Sequence, residues 1–213
     1  MLNVEKRPFK GFLSPPVREM FDILGRHSSF GYRLIFANLW CFGGLFKTLC
    51  KAMGGELNAL VRTTVAFTQM EGSDAINVLP PSALIKANLR LMMGDTPQSA
   101  ESYLKKCIND SSIMVTPLEG DPATAIADTD SEGYQRVHDT IRTMWPEALV
   151  SPYLMMARTD GRFFCEISDV VLRFSCMEMS SEDRKRIHGH DERITEKQLL
   201  GVVEFYQRLM MRS

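Results

Sequence analysis

The fold class of this chain is set by one stretch, Ser82-Ala83-Leu84-Ile85-Lys86-Ala87-Asn88-Leu89-Arg90-Leu91-Met92. Apolar side chains at positions 83, 85, 87, 89 and 91 share one face of an extended chain, and Lys86, Asn88 and Arg90 share the other. This period of two is typical of a β-strand with one buried face. The stretch therefore predicts a strand that presents Arg90 on its polar side.

A second strand and a helix flank this stretch. Residues 61–70 are rich in Thr and Val and predict a strand, and Glu71-Gly72-Ser73-Asp74 predicts a turn after it. On the other side, Thr96 followed by Pro97 is typical of a helix start, and residues 113–118 predict a further strand. The order strand, strand, helix, strand, without parallel repeats, indicates an α+β layer with an antiparallel sheet.

Residues 1–58 are rich in aromatic and aliphatic side chains. Between positions 34 and 50 only Lys47 is charged, a pattern that a membrane-spanning helix also shows. The uncharged run is too short to span a bilayer comfortably, and Gly43 and Gly44 interrupt it. We therefore predict short helices that bury an apolar face against another element or against a partner subunit.

The last part of the chain predicts a separate set of elements. Residues 119–130 are polar and contain Gly and Pro, which is typical of a boundary between domains. The spacing of apolar residues predicts a helix over 134–144, which ends before Pro146. Apolar runs predict buried strands over 149–156 and 170–174.

The final helix has the clearest start signal. Thr195 and Gln198 have the spacing of a capping box, in which each side chain bonds the backbone N–H of the other residue. Apolar residues then recur at helical spacing and predict the stripe that this helix buries. The residues of this stripe are Leu199, Val203, Tyr206 and Met210.

The composition narrows the classes of partner. The 25 Lys and Arg residues balance 26 Asp and Glu residues, which gives a net charge of −1, so nothing points to nucleic acid or to an anionic membrane surface. Small molecules and other proteins remain as partners. The 5 cysteines are scattered without a Cys-x-x-Cys, which argues against a disulfide framework and a thiolate zinc site. Reduced thiols and the lack of an N-terminal signal pattern predict a cytoplasmic protein.

The strongest chemical signal lies just before the final helix. His188 and His190 stand two residues apart, and Asp191 and Glu192 follow them directly, although the chain has only 4 histidines. A neutral imidazole is the commonest protein ligand for a divalent metal, and a nearby carboxylate can fix its tautomer. The alternative is a solvated, charged loop that leads into a helix. One segment also supplies too few ligands for a catalytic zinc.

Several motifs, in order along nearly the whole chain, resemble those of a known family. They are Arg62-Thr63-Thr64, Asn77-Val78-Leu79-Pro80-Pro81, Asn88-Leu89-Arg90 with Gly94-Asp95-Thr96, Thr159-Asp160-Gly161-Arg162-Phe163-Phe164, and Lys185-Arg186-Ile187-His188-Gly189-His190-Asp191-Glu192. In these motifs the chain resembles the C-terminal half of a zinc-dependent exopeptidase of the aminoacylase and carboxypeptidase family. It is most similar to the carboxypeptidase S (Gly-Xaa carboxypeptidase) branch of that family.

The resemblance implies an α/β architecture of two domains. Residues 1–118 would form an α+β lid and dimerisation domain that lacks its N-terminal part, and residues 119–213 the C-terminal portion of an α/β catalytic domain. It further implies two zinc ions in the intact parent protein and a homodimer joined through the lid. The substrate would be an N-acyl amino acid or a peptide with a free C-terminal carboxylate, cleaved at its amide bond.

The resemblance also assigns roles to individual residues. His188 falls on the family's C-terminal metal ligand, and Asn77 and Arg90 match lid residues that bind the substrate's carboxylate and carbonyl oxygen. Thr159 matches a loop that contacts the same carboxylate. Family members often have glycine where this chain has Ala157-Arg158, so the backbone role of that position departs from the family pattern.

No residue of this chain matches the family's general base. The family builds most of its metal site from a His-x-Asp and a Glu-Glu pair in the N-terminal half, and neither sequence occurs here. We therefore expect an N-terminally truncated chain that does not retain zinc and is inactive by itself. The alternative to an enzyme is a lid and dimerisation fragment that acts only as an interaction module.

Overall fold

The structure is a computed structural model that describes residues 1–211. These residues form helices and one two-stranded antiparallel sheet of β1 (Thr64–Glu71) and β2 (Leu84–Arg90), which confirms the predicted combination of helices with an antiparallel sheet. The helices are α1 (Leu2–Lys6), α2 (Pro15–Arg26), α3 (Phe30–Ala37), α4 (Leu39–Met53), α5 (Gly55–Ala59), α6 (Pro97–Ile108), α7 (Glu132–Met144), α8 (Gly161–Phe164), α9 (Ser181–Arg186) and α10 (Glu196–Met211).

The predicted hairpin forms with the expected pairing direction. Thr64 lies opposite Arg90 and Glu71 lies opposite Leu84, and the register shifts by one residue between Phe67 and Gln69. This shift is a β-bulge, which bends and twists a strand locally. Residues 72–83 connect the strands as an irregular loop.

The face of the hairpin that the alternation predicted to be buried stays accessible. Ile85 keeps 46% of its surface exposed, and Met70, which lies opposite it on β1, keeps 66%, while Leu89 and Leu91 are half-buried. Alternation follows from the geometry of an extended chain, whereas burial needs a second layer against the sheet. The prediction of the strand is therefore confirmed, and the prediction of its buried face is wrong within the described part of the chain.

The N-terminal helices share a hydrophobic core. The first helix of this core, α2, begins with Pro15 after Ser14, and Val17, Met20 and Phe21 recur on its inner side at helical spacing. The buried residues of the core are Leu13, Val17, Met20, Phe21, Phe46, Cys50, Leu60 and Val61. Residues 1–58 therefore form short helices that bury an apolar face, as predicted.

Two close contacts fix how these helices approach each other. A Cβ at Gly25 of α2 would lie 2.8 Å from the Cβ of Phe36 of α3, so only glycine allows this approach. The Phe21 ring lies 4.7 Å from that of Phe46 at an interplanar angle of 75°. Such edge-to-face pairs stabilise a core beyond the area that they bury.

Helix α6 begins as predicted. The Thr96 hydroxyl accepts from the backbone N–H of Ser99, whose side chain accepts from the N–H of Thr96, and Pro97 occupies the first helical position. Ala100 and Cys107 are the buried residues of this helix. Tyr103 on the same helix stacks against Phe9, with 4.3 Å between the ring centroids.

Helix α10 begins as predicted but buries a different face. Thr195 and Gln198 make the capping box, with the Thr195 N–H 2.9 Å from Gln198 Oε1 and the Gln198 N–H 3.2 Å from Thr195 Oγ1. Phe205 is fully buried and packs near Trp145 and Phe174. The predicted stripe is exposed instead, at 52% for Leu199, 49% for Val203, 42% for Tyr206 and 65% for Met210. Apolar residues occur on two sides of this helix, and periodicity cannot select the side that finds a partner.

Three predicted strands do not form. Residues 113–118, 149–156 and 170–174 have no strand pairing in the structure, although each contains a run of apolar residues. A strand is stable only when a neighbouring strand takes up its backbone hydrogen bonds, and Pro117 and Pro152 also remove donors. By contrast, α7 forms over Glu132–Met144, which includes the predicted range 134–144 and begins two residues earlier, and the Ser131 hydroxyl accepts from the N–H of Tyr134.

The chain divides into two compact units. The first consists of residues 1–125 and 153–157, and the second of residues 126–152 and 158–213. The division into a lid domain over 1–118 and a catalytic portion over 119–213 stays a prediction. In the described residues, no helix has both the length and the apolar character that crossing a bilayer requires.

Candidate functional site

His188 lies in a tight turn directly after α9. Ile187 has φ −57° and ψ 125°, His188 has φ +63°, and the Gly189 N–H donates to the Arg186 carbonyl at 2.8 Å. This is the pattern of a type II turn, whose third position is normally glycine because φ is positive there. A histidine at this position holds its imidazole at the tip of the turn, where it is exposed to solvent.

The carboxylates beside His188 hold the loop in place. The His188 N–H donates to Glu192 Oε2 at 3.0 Å, and Asp191 lies 3.1 Å from the Arg193 guanidinium. The Arg186 Nε atom is 3.9 Å from the same Asp191 oxygen, Oδ2. The predicted cluster therefore exists as a braced loop, in which Glu192 bonds the backbone of His188 rather than its ring.

Helix α9 anchors this loop at its other end. The Ser180 N–H and hydroxyl both donate to Asp183 Oδ2, at 3.0 and 2.6 Å, and the Asp183 N–H donates back to the Ser180 hydroxyl at 3.1 Å. The hydrogen bond from the Ser180 hydroxyl is the main cause that lowers the pKa of Asp183. This capping box fixes the start of the helix whose end carries His188.

Thr159 contacts an arginine that sequence reasoning missed. Arg173 Nε donates to Thr159 Oγ1 at 3.2 Å, and Arg173 Nη2 lies 3.6 Å from Cys165 Sγ. A Cβ at Gly161 would lie 3.2 Å from that Thr159 oxygen and 3.3 Å from Arg173 Nε, so a small residue is needed there. The sequence does contain a signal for Arg173. It is the only charged residue within the apolar run 170–174, and a charged residue in such a run needs a polar partner.

Arg90 and Asn77 lie in the first unit. Arg90 is the last residue of β2, its side chain is exposed, and Nη1 donates to the Met156 carbonyl. Asn77 is exposed in the loop 72–83, between Ile76 and Leu79, which are themselves almost fully accessible. Both side chains can therefore be reached by a substrate from solvent, and their substrate-binding roles stay predictions.

The motif Arg62-Thr63-Thr64 has a structural role. The Thr63 hydroxyl donates to Asp95 Oδ2 and accepts from the backbone N–H of Met92 at 2.8 Å, so it ties the start of β1 to the segment that follows β2. Arg62 is 6% exposed and donates from Nη2 to the Lys47 carbonyl at 2.6 Å. These residues position the hairpin that carries Arg90.

The residues present do not complete a zinc site. Among residues 1–211, no three His, Cys, Asp or Glu side chains lie close enough together to hold a metal ion. A catalytic zinc normally takes three protein ligands. The chain therefore offers His188 as one candidate ligand, and the roles of His188 and Thr159 stay predictions.

Comparison with known proteins identifies relatives over nearly the whole chain. The sequence profile of peptidase family M20/M25/M40 matches residues 19–212. The chain is 32% identical over 202 residues to a probable carboxypeptidase S-like 2 protein of Dictyostelium discoideum, which covers 92% of this chain and 38% of that protein. It is 31% identical over 203 residues to an N-fatty-acyl-amino acid synthase/hydrolase of Xenopus tropicalis, with 95% and 40% covered.

The chain spans about two fifths of the length of the curated relatives it matches. A third relative, an N-fatty-acyl-amino acid synthase/hydrolase of Bos taurus, shows the same proportion, with 96% of this chain and 42% of that protein covered at 30% identity. No solved structure matches the chain significantly.

Proposed function

The chain belongs to peptidase family M20/M25/M40, a generally zinc-dependent family, and from that membership we propose that it is the substrate-recognising part of a hydrolase. The reaction is hydrolysis of an amide bond in an N-acyl amino acid or in a peptide with a free C-terminal carboxylate. The printed names of the relatives, carboxypeptidase S-like and N-fatty-acyl-amino acid synthase/hydrolase, support this pair of substrate classes.

The main support for this proposal is the backbone conformation of His188, which has a positive φ of +63°. A positive φ at a non-glycine residue costs about 1–2 kcal/mol, so glycine would be the more stable residue at this position. The side chain is exposed, and the Glu192 carboxylate holds the backbone N–H of the same residue at 3.0 Å. An accessible imidazole on a braced backbone can present a ring nitrogen to a metal ion.

Arginine side chains supply the second part of the proposal. A guanidinium binds a carboxylate through two parallel hydrogen bonds, which fits a substrate with a free C-terminal carboxylate. Arg90 carries this role at the end of β2, where it is exposed. Asn77 donates to the substrate's carbonyl oxygen, and Thr159 holds its carboxylate with Arg173 as the group that orients the Thr159 hydroxyl at 3.2 Å.

The experiment compares two neighbouring histidines. Hydrolysis of N-acyl amino acids and zinc content are measured for the longest polypeptide that the gene encodes, with His188→Ala or with His190→Ala as the matched control. Loss of one metal ligand is expected to reduce activity by a factor of about one hundred or more. His190→Ala is expected to keep most of the activity. Equal activity in the two variants would refute the role of His188.

A second candidate function is an interaction module without catalysis. The incomplete set of possible metal ligands within residues 1–211 supports it, because His188 alone binds zinc too weakly for a catalytic site. Turnover and metal content measured on the 213-residue chain by itself decide between the two. Robust hydrolysis by this polypeptide would exclude the inactive fragment.

A further inference from the structure

Arg62 is a buried cation whose charge no carboxylate of the described chain neutralises. The residue is only 6% exposed, and its Nη2 donates to the Lys47 carbonyl at 2.6 Å. Its Nε is buried, and no atom of residues 1–211 accepts a hydrogen bond from it. No Asp or Glu oxygen in the same residues lies within ion-pair distance of the guanidinium. A guanidinium carries several N–H donors, so most of those of Arg62 are not used by the described chain.

A buried charge of this kind is costly to fold. Taking a cation out of water costs free energy, which an opposite charge and good hydrogen bonds normally offset. An apolar side chain of similar volume would fill the same space without that cost. The guanidinium of Arg62 therefore indicates a ligand of opposite charge.

A second cation lies beside Arg62. Lys47 of α4 is half-buried, and its Nζ lies 3.5 Å from the Gly11 carbonyl oxygen, which is a long hydrogen bond. A Cβ at Gly11 would lie 3.0 Å from Lys47 Cδ and 3.3 Å from Arg62 Nη2, so the lysine stem and the guanidinium lie together against this glycine. Within the described part of the chain, Lys47 also takes part in no ion pair. Two positive charges therefore lie close together, one of them on a flexible stem.

The thiol beside these cations does not neutralise them. Cys50 is 1% exposed and lies one turn after Lys47 on α4. Burial raises the pKa of the Cys50 thiol above its ordinary value of 9.0, and the nearby Arg62 charge opposes this rise. A thiol with a raised pKa is neutral at physiological pH. The charge of the two cations is therefore left for a ligand to balance.

We propose that Arg62 and Lys47 form a binding site for a phosphate group. The free N–H donors of the guanidinium bind the phosphate oxygens, and the Lys47 ammonium turns away from the Gly11 carbonyl to contact the same anion. A phosphate group carries a charge of about −1.5 to −2 at neutral pH, which matches two cations better than a single carboxylate does. This proposal is independent of the hydrolase function.

The site lies where three segments of the first unit meet. The Phe12 N–H donates to the Val61 carbonyl at 2.7 Å, so the segment that contains Gly11 runs beside the residue before Arg62. Lys47 belongs to α4, and Arg62 lies two residues before the start of β1. An anion held by both cations ties α4 to the segment that enters the hairpin. Because such an anion binds the folded chain and not the unfolded one, it is expected to raise the thermal stability.

The test measures the melting temperature of the 213-residue chain in inorganic phosphate, with sodium chloride at equal ionic strength as the reference. Phosphate at about twenty times its dissociation constant is expected to raise the melting temperature by about 4–7 °C. Arg62→Met is expected to abolish this saturable rise and, without phosphate, to melt no lower than the unsubstituted chain. Lys47→Met removes one of the two charges and is expected to weaken phosphate binding about tenfold.

The matched control is Lys51→Met, which changes an exposed lysine one turn after Lys47 on α4 and should keep the full response to phosphate. Phosphate also stabilises proteins non-specifically because it is excluded from their surface, and Arg62→Met measures that contribution. The same rise in Arg62→Met as in the unsubstituted chain, or a loss in Lys51→Met equal to that in Lys47→Met, overturns the proposal.

Two further results would overturn it. If Arg62→Met without phosphate melts several degrees below the unsubstituted chain, the guanidinium is stabilised by the chain itself and needs no ligand. Acetate at the same ionic strength is expected to give no rise beyond that in chloride. A rise in acetate equal to that in phosphate assigns the site to a carboxylate instead.

Discussion

At the scale of single residues, His188 and Gly189 depend on each other. His188 has φ +63°, and a Cβ at Gly189 would lie 3.0 Å from the Arg186 carbonyl oxygen that its own N–H bonds. The turn therefore has one position that favours glycine on conformational grounds and one that favours it on steric grounds. The chain has glycine only at the second, and we attribute the histidine at the first to its imidazole.

This assignment gives a prediction about stability. His188→Gly is expected to make the chain more stable than His188→Ala by about 1 kcal/mol, because only glycine relieves the positive φ while both variants lose the ring. Urea unfolding of the two variants measures the difference. If His188→Ala is as stable as His188→Gly, the turn is not strained, and the backbone of His188 does not support a metal-binding role for its side chain.

At the scale of elements, the helix that precedes His188 depends on an ionised carboxylate. The Ser180 hydroxyl donates to Asp183, which lowers the pKa of Asp183 below its ordinary value of 3.8. Because the folded pKa is the lower one, the stabilisation is complete above pH 3.8 and is lost as the pH falls through the folded value. The hydrogen bonds between Ser180 and Asp183 at the start of α9 are therefore intact at neutral pH and are lost in acid.

We accordingly expect α9 to fray in acid below pH 3.8, before the helices that are capped by hydroxyl groups alone. Amide hydrogen exchange or NMR shifts of Asp183 and Arg184 would follow this change. Asp183→Asn removes the titrating group and should abolish the pH dependence, with α7 and its Ser131 cap as the internal reference. An unchanged acid midpoint in Asp183→Asn would contradict the assignment.

Helix α10 packs against the rest of the second unit through one side only. Phe205 is fully buried, with its ring 6.2 Å from that of Trp145 and 5.2 Å from that of Phe174. Phe205→Ala is expected to destabilise the second unit by about 3–5 kcal/mol, because it leaves a cavity among these rings. Leu199→Ala on the exposed side is the control and should change stability by about 0.5 kcal/mol or less. Trp145 fluorescence during urea unfolding reports both.

At the scale of the whole molecule, exposed apolar surface is distributed over both compact units. In the first unit it lies on the hairpin and on α3 and α4, and in the second on α10. A two-stranded sheet also leaves backbone donors and acceptors unpaired along its outer edges. Surfaces of this kind favour association with another chain, and they support the homodimer that the family resemblance implies.

We expect light scattering to show a dimer or a larger species of the 213-residue chain. Ile85→Lys adds a charge to the exposed apolar face of β2 and should shift the distribution towards monomer, because a buried lysine at an interface is costly. Leu199→Lys is the comparison in the second unit. A monomer at every protein concentration would rule out self-association of this polypeptide.

The sequence alone determined the elements whose signals are local. The caps of α6 and α10, the start and end of α7, and the two paired strands all follow from side-chain and backbone hydrogen bonds, or from periodicity, within a few residues. The family followed in the same way from ordered motifs. These features need no information about the rest of the fold, because each involves residues that are close together along the chain.

Only the tertiary structure decided which faces are covered and which distant residues meet. It selected Phe205 rather than Leu199 as the buried side of α10, left residues 113–118 unpaired, and brought Arg173 to the hydroxyl of Thr159. The physical reason is the same in each case. Burial, strand pairing and side-chain contacts depend on partners far away in the chain, and a local apolar pattern shows only that a partner is needed.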